Sequence, residues 1–588
     1  MTSFSLLHPA LQHHIVNSLG WQELRPFQEA AIPRILGGQH AIILAPTAGG
    51  KTECVMFPLL SRMLAEPWEG LTVLYICPIK ALLNDLAVRL ERYTELVGRR
   101  CNLWHGDISR STRDHILTEP PDLLLTTPES LEVMLTSSRV SPRELLGNVR
   151  AVVVDEIHAF AGDDRGWHLL ALLSRLNRIA GREFQRLGLS ATVGNPEALG
   201  EWLSGGSGFE VSVLLPESEG DSEADVQLDY VGSLENAAHV ISRIFRGEKR
   251  LAFVDSRSRA EQLGSALHRL GTNTFVTHSS LSRAERRRAE NAFHASQDCV
   301  IVATSALELG VDVGDLDRVI QIDSPATVSS FLQRMGRTGR RANNRRNCLF
   351  LATKENALLR AASIIDLFES GYVEPVNPPL APFHIMAQQL LALVLQEKGI
   401  GKETWTTWLD RVPAFSDSNK LEVDSVVTWM LEEGILFEDQ GVLGLGRGAE
   451  TAYGQKNFME LLSVFTSPPF FTVYHGKEEL GFVDERVLLG QKKNDACILL
   501  LGGRGWSVEH VDWRRHVVFV QSTEVDGGAW WPGNGSSLSY RVCQALKRIL
   551  SEERESVTWS RRTCKQIQTI RNENPWVEPG PETYIVRA

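Results

Sequence analysis

The chain has 588 residues, too long for one hydrophobic core, and its 43% hydrophobic and 23% charged content is that of a globular protein rather than a disordered or fibrous one. No apolar run approaches the roughly 20 residues of a membrane span, the first residues lack the basic start and apolar stretch of a signal peptide, and the eight cysteines form no CxxC pair; no membrane contact, no zinc ribbon and a reduced, cytoplasmic setting are expected. A net charge of −11 does not announce a nucleic-acid binder, but phosphate binding depends on local basic clusters, and SRAERRR at 282–288 and GRTGRRANNRR at 336–346 are two of them.

In chain order, 21–36 reads as a helix entered through a proline turn, and Ala41 to Val55 as strand, glycine-containing loop and helix. Further buried strands are expected in LTVLYICP (71–78), DLLLTT (122–127), AVVVDEIH (151–158) and RLGLSAT (186–192), with helical patterns between them. Such alternation argues for a parallel sheet with helices on both faces. The acidic PESEGDSEADV (216–226) reads as a linker, after which the alternation restarts with RLAFVDS (250–256), TNTFVTH (272–278), CVIVATS (299–305) and DRVIQID (317–323). Four prolines in 372–383 mark another boundary. Helices and a glycine-punctuated hairpin then suit a winged helix, and from about 451 short strands suit a small antiparallel β-domain, with little functional signal in 541–588. The expected domains are 1–214, 215–370, 371–450 and 451–588: two α/β domains in tandem, a winged helix and a β-rich region.

The chemistry gathers in three strings. In Ala45-Pro46-Thr47-Ala48-Gly49-Gly50-Lys51-Thr52 the glycines would let backbone N–H groups approach phosphates, Lys51 would reach the β- and γ-phosphates and Thr52 would offer a hydroxyl to Mg²⁺. A strict P-loop has glycine where Ala45 stands, so only the GGKT end of that pattern is intact. At the end of AVVV, Asp155 would hold the metal and Glu156 would act as general base on water, with His158 linking the site to the neighbouring domain. In QRMGRTGR, which begins at Gln333, Arg337 and Arg340 are three apart and on a helix would share one face aimed at a γ-phosphate.

The ordered set APTAGGKT, PIKALLND, TTPESL, DEIH, SAT, ATSALELGVD and QRMGRTGR resembles the motifs of superfamily 2 helicases of the DEAD/DEAH-box type, and PPLAPFHIMAQQLLALVL, GRGAETAYG, GGRGWSVEHVD and GGAWWPGNG resemble the core of the Lhr (large helicase-related) proteins. That resemblance implies two RecA-like domains with ATP and Mg²⁺ between them. It implies that Gln28 reads adenine, Asp312 faces the ribose, and Gln333, Arg337 and Arg340 complete the catalytic set with Lys51 and Glu156. Thr127, Ser256, Arg257 and Thr304 are implied to grip the strand backbone, Ser190 and Thr192 to couple hydrolysis to movement, and Trp531 to stack on a base. No long strand-separating hairpin fits between ATSALELGVD and QRMGRTGR, so a wedge is expected from the winged helix or the β-domain.

The expected function is that of an ATP-dependent helicase or translocase, moving 3′→5′ on single-stranded DNA and opening tailed DNA or RNA–DNA duplexes, in DNA repair or phage defence. The alternatives are a DEAD-box-like RNA remodeller and an ATP-gated clamp on DNA; DEIH in place of DEAD and intact Lys51, Glu156, Arg337 and Arg340 argue against them.

Overall fold

The computed structural model describes residues 2–46, 49–137, 139–216, 224–307, 316–339, 345–449, 470–489, 497–523, 538–553 and 556–580. The chain forms two compact units that alternate along it: Met1–Ser218 with Pro375–Thr466, and Glu219–Glu374 with Ser467–Ala588.

The first unit is built on seven strands, β1 (His40–Leu44), β2 (Val73–Ile76), β3 (Cys101–Trp104), β4 (Leu123–Thr126), β5 (Ala151–Val154), β6 (Gln185–Ser190) and β7 (Val211–Leu214). They lie in the order β3-β4-β2-β5-β6-β1-β7, every pair parallel. Successive side chains of a strand point to opposite faces, and the two faces carry separate cores. Ile42, Leu44, Leu74, Ile76, Val152 and Val154 enter one, and Ala41, Ile43, Val73, Tyr75, Ala151 and Val153 the other. This double burial explains why the central strands read as unbroken apolar runs. The edge strands β3 and β7 are only partly buried, and their sequences, CNLW and VSVL, lack that run.

The second unit holds β8 (Asp225–Tyr230), β9 (Lys249–Phe253), β10 (Thr274–Thr277), β11 (Cys299–Ala303), β12 (Arg318–Ile322) and β13 (Asn347–Ala352), all parallel in the order β10-β11-β9-β12-β13-β8. The stretch expected as a linker therefore ends inside a strand, because Asp225 and Val226 pair with Asn347 and Cys348.

Helix Phe383–Glu397, β14 (Ile400–Gly401), helices Pro413–Ser416 and Lys420–Glu432, and hairpin β15 (Leu436–Asp439) with β16 (Val442–Leu445) follow. Their antiparallel sheet has the order β14-β16-β15, the element order of a winged helix. This module packs on the first sheet's helices through a buried polar cluster. Glu132 accepts from Arg175 at 2.6 Å, from His168 at 2.9 Å and from Gln389 of helix Phe383–Glu397 at 2.6 Å. Burial alone would raise the Glu132 pKa; the Arg175 cation and the hydrogen bonds from His168 and Gln389 overcome it and hold the carboxyl down to about 2.

The C-terminal sheet comprises β17 (Phe470–His475), β18 (Glu478–Asp484), β19 (Ile498–Leu501), β20 (Arg504–Asp512) and β21 (Val517–Thr523), ordered β18-β17-β21-β20-β19. It is not purely antiparallel as expected: β17 and β21 run parallel, because hairpin β17–β18 and the β19–β20–β21 meander join through strands distant in sequence. Among the described residues, no helix is long and apolar enough to cross a membrane.

Candidate functional site

In an open parallel sheet, ligands bind beyond the carboxyl ends of the strands. At that edge of the first sheet β1, β6 and β5 lie side by side, with Leu44 beside Ser190 and Val154 beside Gly188. The expected phosphate loop, SAT and DEIH follow these three strands in turn.

The helix after β1 begins at Lys51, directly after Gly50 at φ +89°. A Cβ on Gly50 would lie 2.4 Å from the Gln28 amide nitrogen, and one on Gly49 would lie 2.9 Å from the Pro46 carbonyl and 3.0 Å from the Ala45 Cβ. Both positions require glycine for close approach. Gln28 donates to the Gly50 carbonyl at 3.0 Å and accepts from the Arg25 N–H at 2.9 Å, which ties the start of helix Pro26–Leu36 to the loop. The Lys51 ammonium is buried and donates to the Ala45 carbonyl at 2.8 Å, folding back across the loop it would serve. Ala48 lies outside the described residues.

Asp155 and Glu156 follow β5 at once, and both are buried. Asp155 accepts from the Tyr75 hydroxyl at 2.8 Å and from the Glu156 N–H at 2.9 Å. Burial and then the Glu156 charge push its carboxyl up to about 6, against the pull of Lys51. A buried carboxylate pair of this kind favours a cation. Together with the Thr52 hydroxyl, Asp155 offers the hard oxygen donors that suit Mg²⁺, which takes one or two carboxylates plus substrate phosphates. Glu156 sits at φ +47°, a left-handed conformation that costs a non-glycine residue roughly 1–3 kcal/mol and concentrates at functional positions. The His158 Nδ1 accepts from the Ala191 N–H at 3.3 Å and meets the Ser190 hydroxyl at 3.1 Å, so the neutral ring carries its proton on Nε2, which lies 3.6 Å from Glu156 Oε2. Burial lowers the His158 pKa, with Glu156 pulling it up and Lys51 pulling it down. DEIH and SAT are thus hydrogen-bonded to one another, whereas Thr192 is exposed.

Two side chains outside these strings complete the site. Arg89 donates to the Thr52 hydroxyl at 3.0 Å and lies 3.5 Å from Glu53, which also accepts from Tyr93 at 2.9 Å. Tyr75 lies on β2, next to β5 in the sheet. Neither belongs to a local string; the amphipathic 80–96 stretch was the only available signal for Arg89.

The rest of the same edge, β2, β4 and β3, carries the loops expected to meet a strand. Thr127 caps helix Pro128–Thr136, its hydroxyl accepting from the Ser130 N–H at 3.3 Å. Arg165 joins two of these loops by donating to the Pro78 carbonyl at 2.9 Å and to Glu129 at 2.8 Å. In the second unit, Ser256, Arg257 and Thr304 follow the adjacent strands β9 and β11. Ser256 caps helix Arg257–Arg269 by accepting from the Arg259 N–H at 3.3 Å, Thr304 is buried, and burial lowers the Arg257 pKa.

The arginine pair is corrected in one respect. Helix Val328–Met335 carries Gln333 but stops before Arg337, with Gly336 as its cap, so Arg337 does not present a helix face. It lies buried in the following turn, where its N–H donates to the Arg334 carbonyl at 3.1 Å. Arg340, Asp312 and Trp531 lie outside the described residues.

Residues 25–199 match the family described as DEAD/DEAH box helicase, and 233–342 match the helicase conserved C-terminal domain. The two matched regions fall on the two parallel α/β sheets, which have the RecA-like fold, so in fold and motif content the chain is similar to helicases of the DEAD/DEAH-box class. Within that class the chain resembles the Lhr core. It is 27% identical over 593 residues to the Lhr helicase/uracil glycosylase of Escherichia coli, covering 85% of this chain and 38% of that protein. It is 26% identical over 606 residues to the ATP-dependent helicase Lhr-Core of Methanocaldococcus jannaschii, covering 94% and 69%. The chain thus spans well under half the length of the Escherichia coli relative. In fold it is similar to the Mycobacterium smegmatis helicase Lhr solved with ssDNA and AMP-PNP, with a TM-score of 0.75 at 23% identity over 98% of this chain and 75% of that one. The helicase MrfA, solved with DNA and AMPPNP, gives a TM-score of 0.69 at 20% identity over 88% and 72%.

Proposed function

We propose that the chain is an ATP-dependent, Lhr-like nucleic-acid helicase that moves 3′→5′ along single-stranded DNA and opens tailed DNA or RNA–DNA duplexes. The observation that carries this reading is the buried cluster of Lys51, Asp155, Glu156 and His158 at the ends of three neighbouring strands, in a chain that also carries the second helicase domain. Gly49, Gly50 and Lys51 would cradle the phosphates, and Thr52 and Asp155 would hold Mg²⁺, which supplies charge neutralisation there. Glu156 takes the proton of the attacking water, and the His158 Nε2–H orients the Glu156 carboxylate. Gln333, Arg337 and Arg340 come from the second domain, so hydrolysis is tied to domain movement. Thr127, Ser256, Arg257 and Thr304 grip phosphates without reading base identity. Trp531 is assigned to a base, and a cytoplasmic role in repair or defence fits the reading.

The test is ATP hydrolysis and strand displacement on DNA, RNA and hybrid duplexes with 3′ or 5′ tails. Displacement of 3′-tailed DNA or hybrid duplexes is expected. Activity confined to RNA duplexes without directional preference would favour the RNA-remodelling alternative, and strand binding without hydrolysis would favour the clamp.

A further inference from the structure

The C-terminal sheet has two unlike faces. Alternate residues Val473, Val518 and Val520 are buried on the inner one. On the outer one, Tyr474 of β17 pairs with Phe519 of β21, and Phe519 pairs with His510 of β20. Three aromatic side chains therefore form a row across three neighbouring strands. The Tyr474 and Phe519 ring centroids are 6.2 Å apart with planes 32° from parallel, and those of Phe519 and His510 are 6.4 Å apart at 19°. Cross-strand aromatic pairs contribute about 0.2–1 kcal/mol to a sheet, but Phe519 leaves 38% of its surface in solvent, more than a purely packing role requires.

Charges of both signs border the row: Glu479 lies opposite Tyr474 and Glu509 is next to His510, while Lys477, Arg514 and Arg515 gather at the Tyr474–Phe519 end. An open groove of about 340 Å³ is lined by Tyr474, Val517 and Phe519, with Lys477 and Arg515 on its rim. Arg514 lies in the same turn. Asp512 also lines the groove, but its carboxylate accepts the Arg514 and Arg515 N–H groups at 3.1 Å each and is engaged in closing that turn. A row of flat rings, half-buried at Tyr474 and exposed at Phe519 and His510, with cations at its border fits one kind of occupant: an extended polynucleotide whose unpaired bases stack on the rings while its phosphates meet the cations. A duplex would hide its bases from such a face.

We propose that Tyr474, Phe519 and His510 form a stacking platform for unpaired bases of a nucleic-acid strand, with Lys477, Arg514 and Arg515 against its phosphates. The platform rests on the nucleic-acid reading of the chain, and it places a second hold on the strand outside the two RecA-like domains.

The experiment measures binding of the full chain, without nucleotide, to fluorescent oligothymidine, to oligouridine and to an abasic strand of the same length. One stacked base is worth about 1–3 kcal/mol by alanine substitution, or roughly 5- to 150-fold in affinity. Phe519→Ala is expected to weaken oligothymidine binding by about tenfold and to leave binding of the abasic strand unchanged. Phe519→Trp should restore the affinity. Lys477→Ala with Arg515→Ala should weaken both strands and flatten the salt dependence. Oligouridine binding should show the same dependence on Phe519, because stacking needs only the π-face of a base; oligouridine bound equally by the unaltered chain and by Phe519→Ala would count against the platform. Phe519→Ala binding oligothymidine like the unaltered chain, or losing affinity equally for the abasic strand, would overturn the platform and leave this face to a protein partner. Failure of the unaltered chain to bind any strand would instead overturn the broader function.

Discussion

At the scale of residues, the site is held together by two buried carboxylates, and this has a measurable cost. The folded Asp155 keeps its proton up to about pH 6, whereas an unfolded aspartate releases its own near 3.9. Between these values the folded state binds more protons, so the stability of the nucleotide- and metal-free protein falls as the pH rises through that window. Asp155→Asn removes the buried charge. In EDTA it is expected to raise the unfolding free energy at pH 7.5 by on the order of 1 kcal/mol, seen as a higher melting temperature, with the gain vanishing near pH 4; an unchanged or lower melting temperature at pH 7.5 would contradict the charge burden. Glu156→Gln tests the other carboxylate. It should bind ATP and strand as the unaltered chain does while hydrolysis falls by about 10²–10⁴-fold, the usual worth of a positioned general base; near-normal turnover would remove Glu156 from that role. Both residues were legible because their chemistry lies in one short string after an apolar run. Arg89, Tyr75 and Tyr93 were not, since what matters about them is contact: Arg89 reaches Thr52 across 37 positions and Tyr75 reaches Asp155 across 80.

At the scale of elements, the central strands were readable and the edge strands were not. Burial on both faces writes itself as an unbroken apolar run, while β3, β7 and β8 are half-covered and mix polar residues into short segments. The helices and the glycine-punctuated hairpin of 383–445 were legible as a pattern, but their attachment was hidden. Glu132, Arg175, His168 and Gln389 come from three helices far apart in sequence. The module itself is acidic, with ten carboxylates against five Lys and Arg across 383–449, so it is poorly suited to gripping phosphates. On its helix Lys420–Glu432, Trp429 is 53% exposed, which suits a wedge against bases better than a phosphate clamp. The Glu132 cluster is what fastens this module. Removing one partner of a buried ion pair costs about 3–5 kcal/mol, because the other charge stays buried and unpaired. Glu132→Ala is therefore expected to destabilise the first unit by about that amount, and limited proteolysis should release the 383–449 region. Glu132→Leu combined with Arg175→Met should recover much of the loss. If Glu132→Ala melted and resisted protease like the unaltered chain, the cluster would not be the fastening.

At the scale of the whole molecule, the chain weaves between its two units, and its last helices belong to the second RecA-like domain rather than to a tail. Leu228 of edge strand β8 donates to the Thr558 carbonyl at 2.8 Å and accepts from the Ser560 N–H at 2.9 Å. Ser560 and Arg562 both reach Asp229, and Arg548 bonds Asp366 at 2.6 Å. Helices Tyr540–Ser551 and Arg561–Glu573 pack against helix Glu355–Glu369 and bury Val542, Ala545, Ile549, Ile567 and Ile570. The sequence of 541–588 carried no sign of this, because an edge strand and an amphipathic helix specify a partner only by leaving one face uncovered. Burying an aliphatic side chain contributes roughly 1.5–3 kcal/mol, and domains are stable by only about 5–15 kcal/mol, so the loss of this cover is comparable with the whole stability of the unit. Deleting 538–588 should lower or abolish the thermal transition of the second unit. The first unit, whose transition is recognised by its upward shift with Mg²⁺ and a non-hydrolysable ATP analogue, should melt as before. Under the proposed function, strand-stimulated hydrolysis should then be lost although nucleotide binding survives, because Gln333, Arg337 and Arg340, proposed to complete catalysis, belong to the sequence of the second unit. A truncated chain with both transitions and stimulated hydrolysis intact would show that the C-terminal helices are dispensable and that β8 is closed by other means.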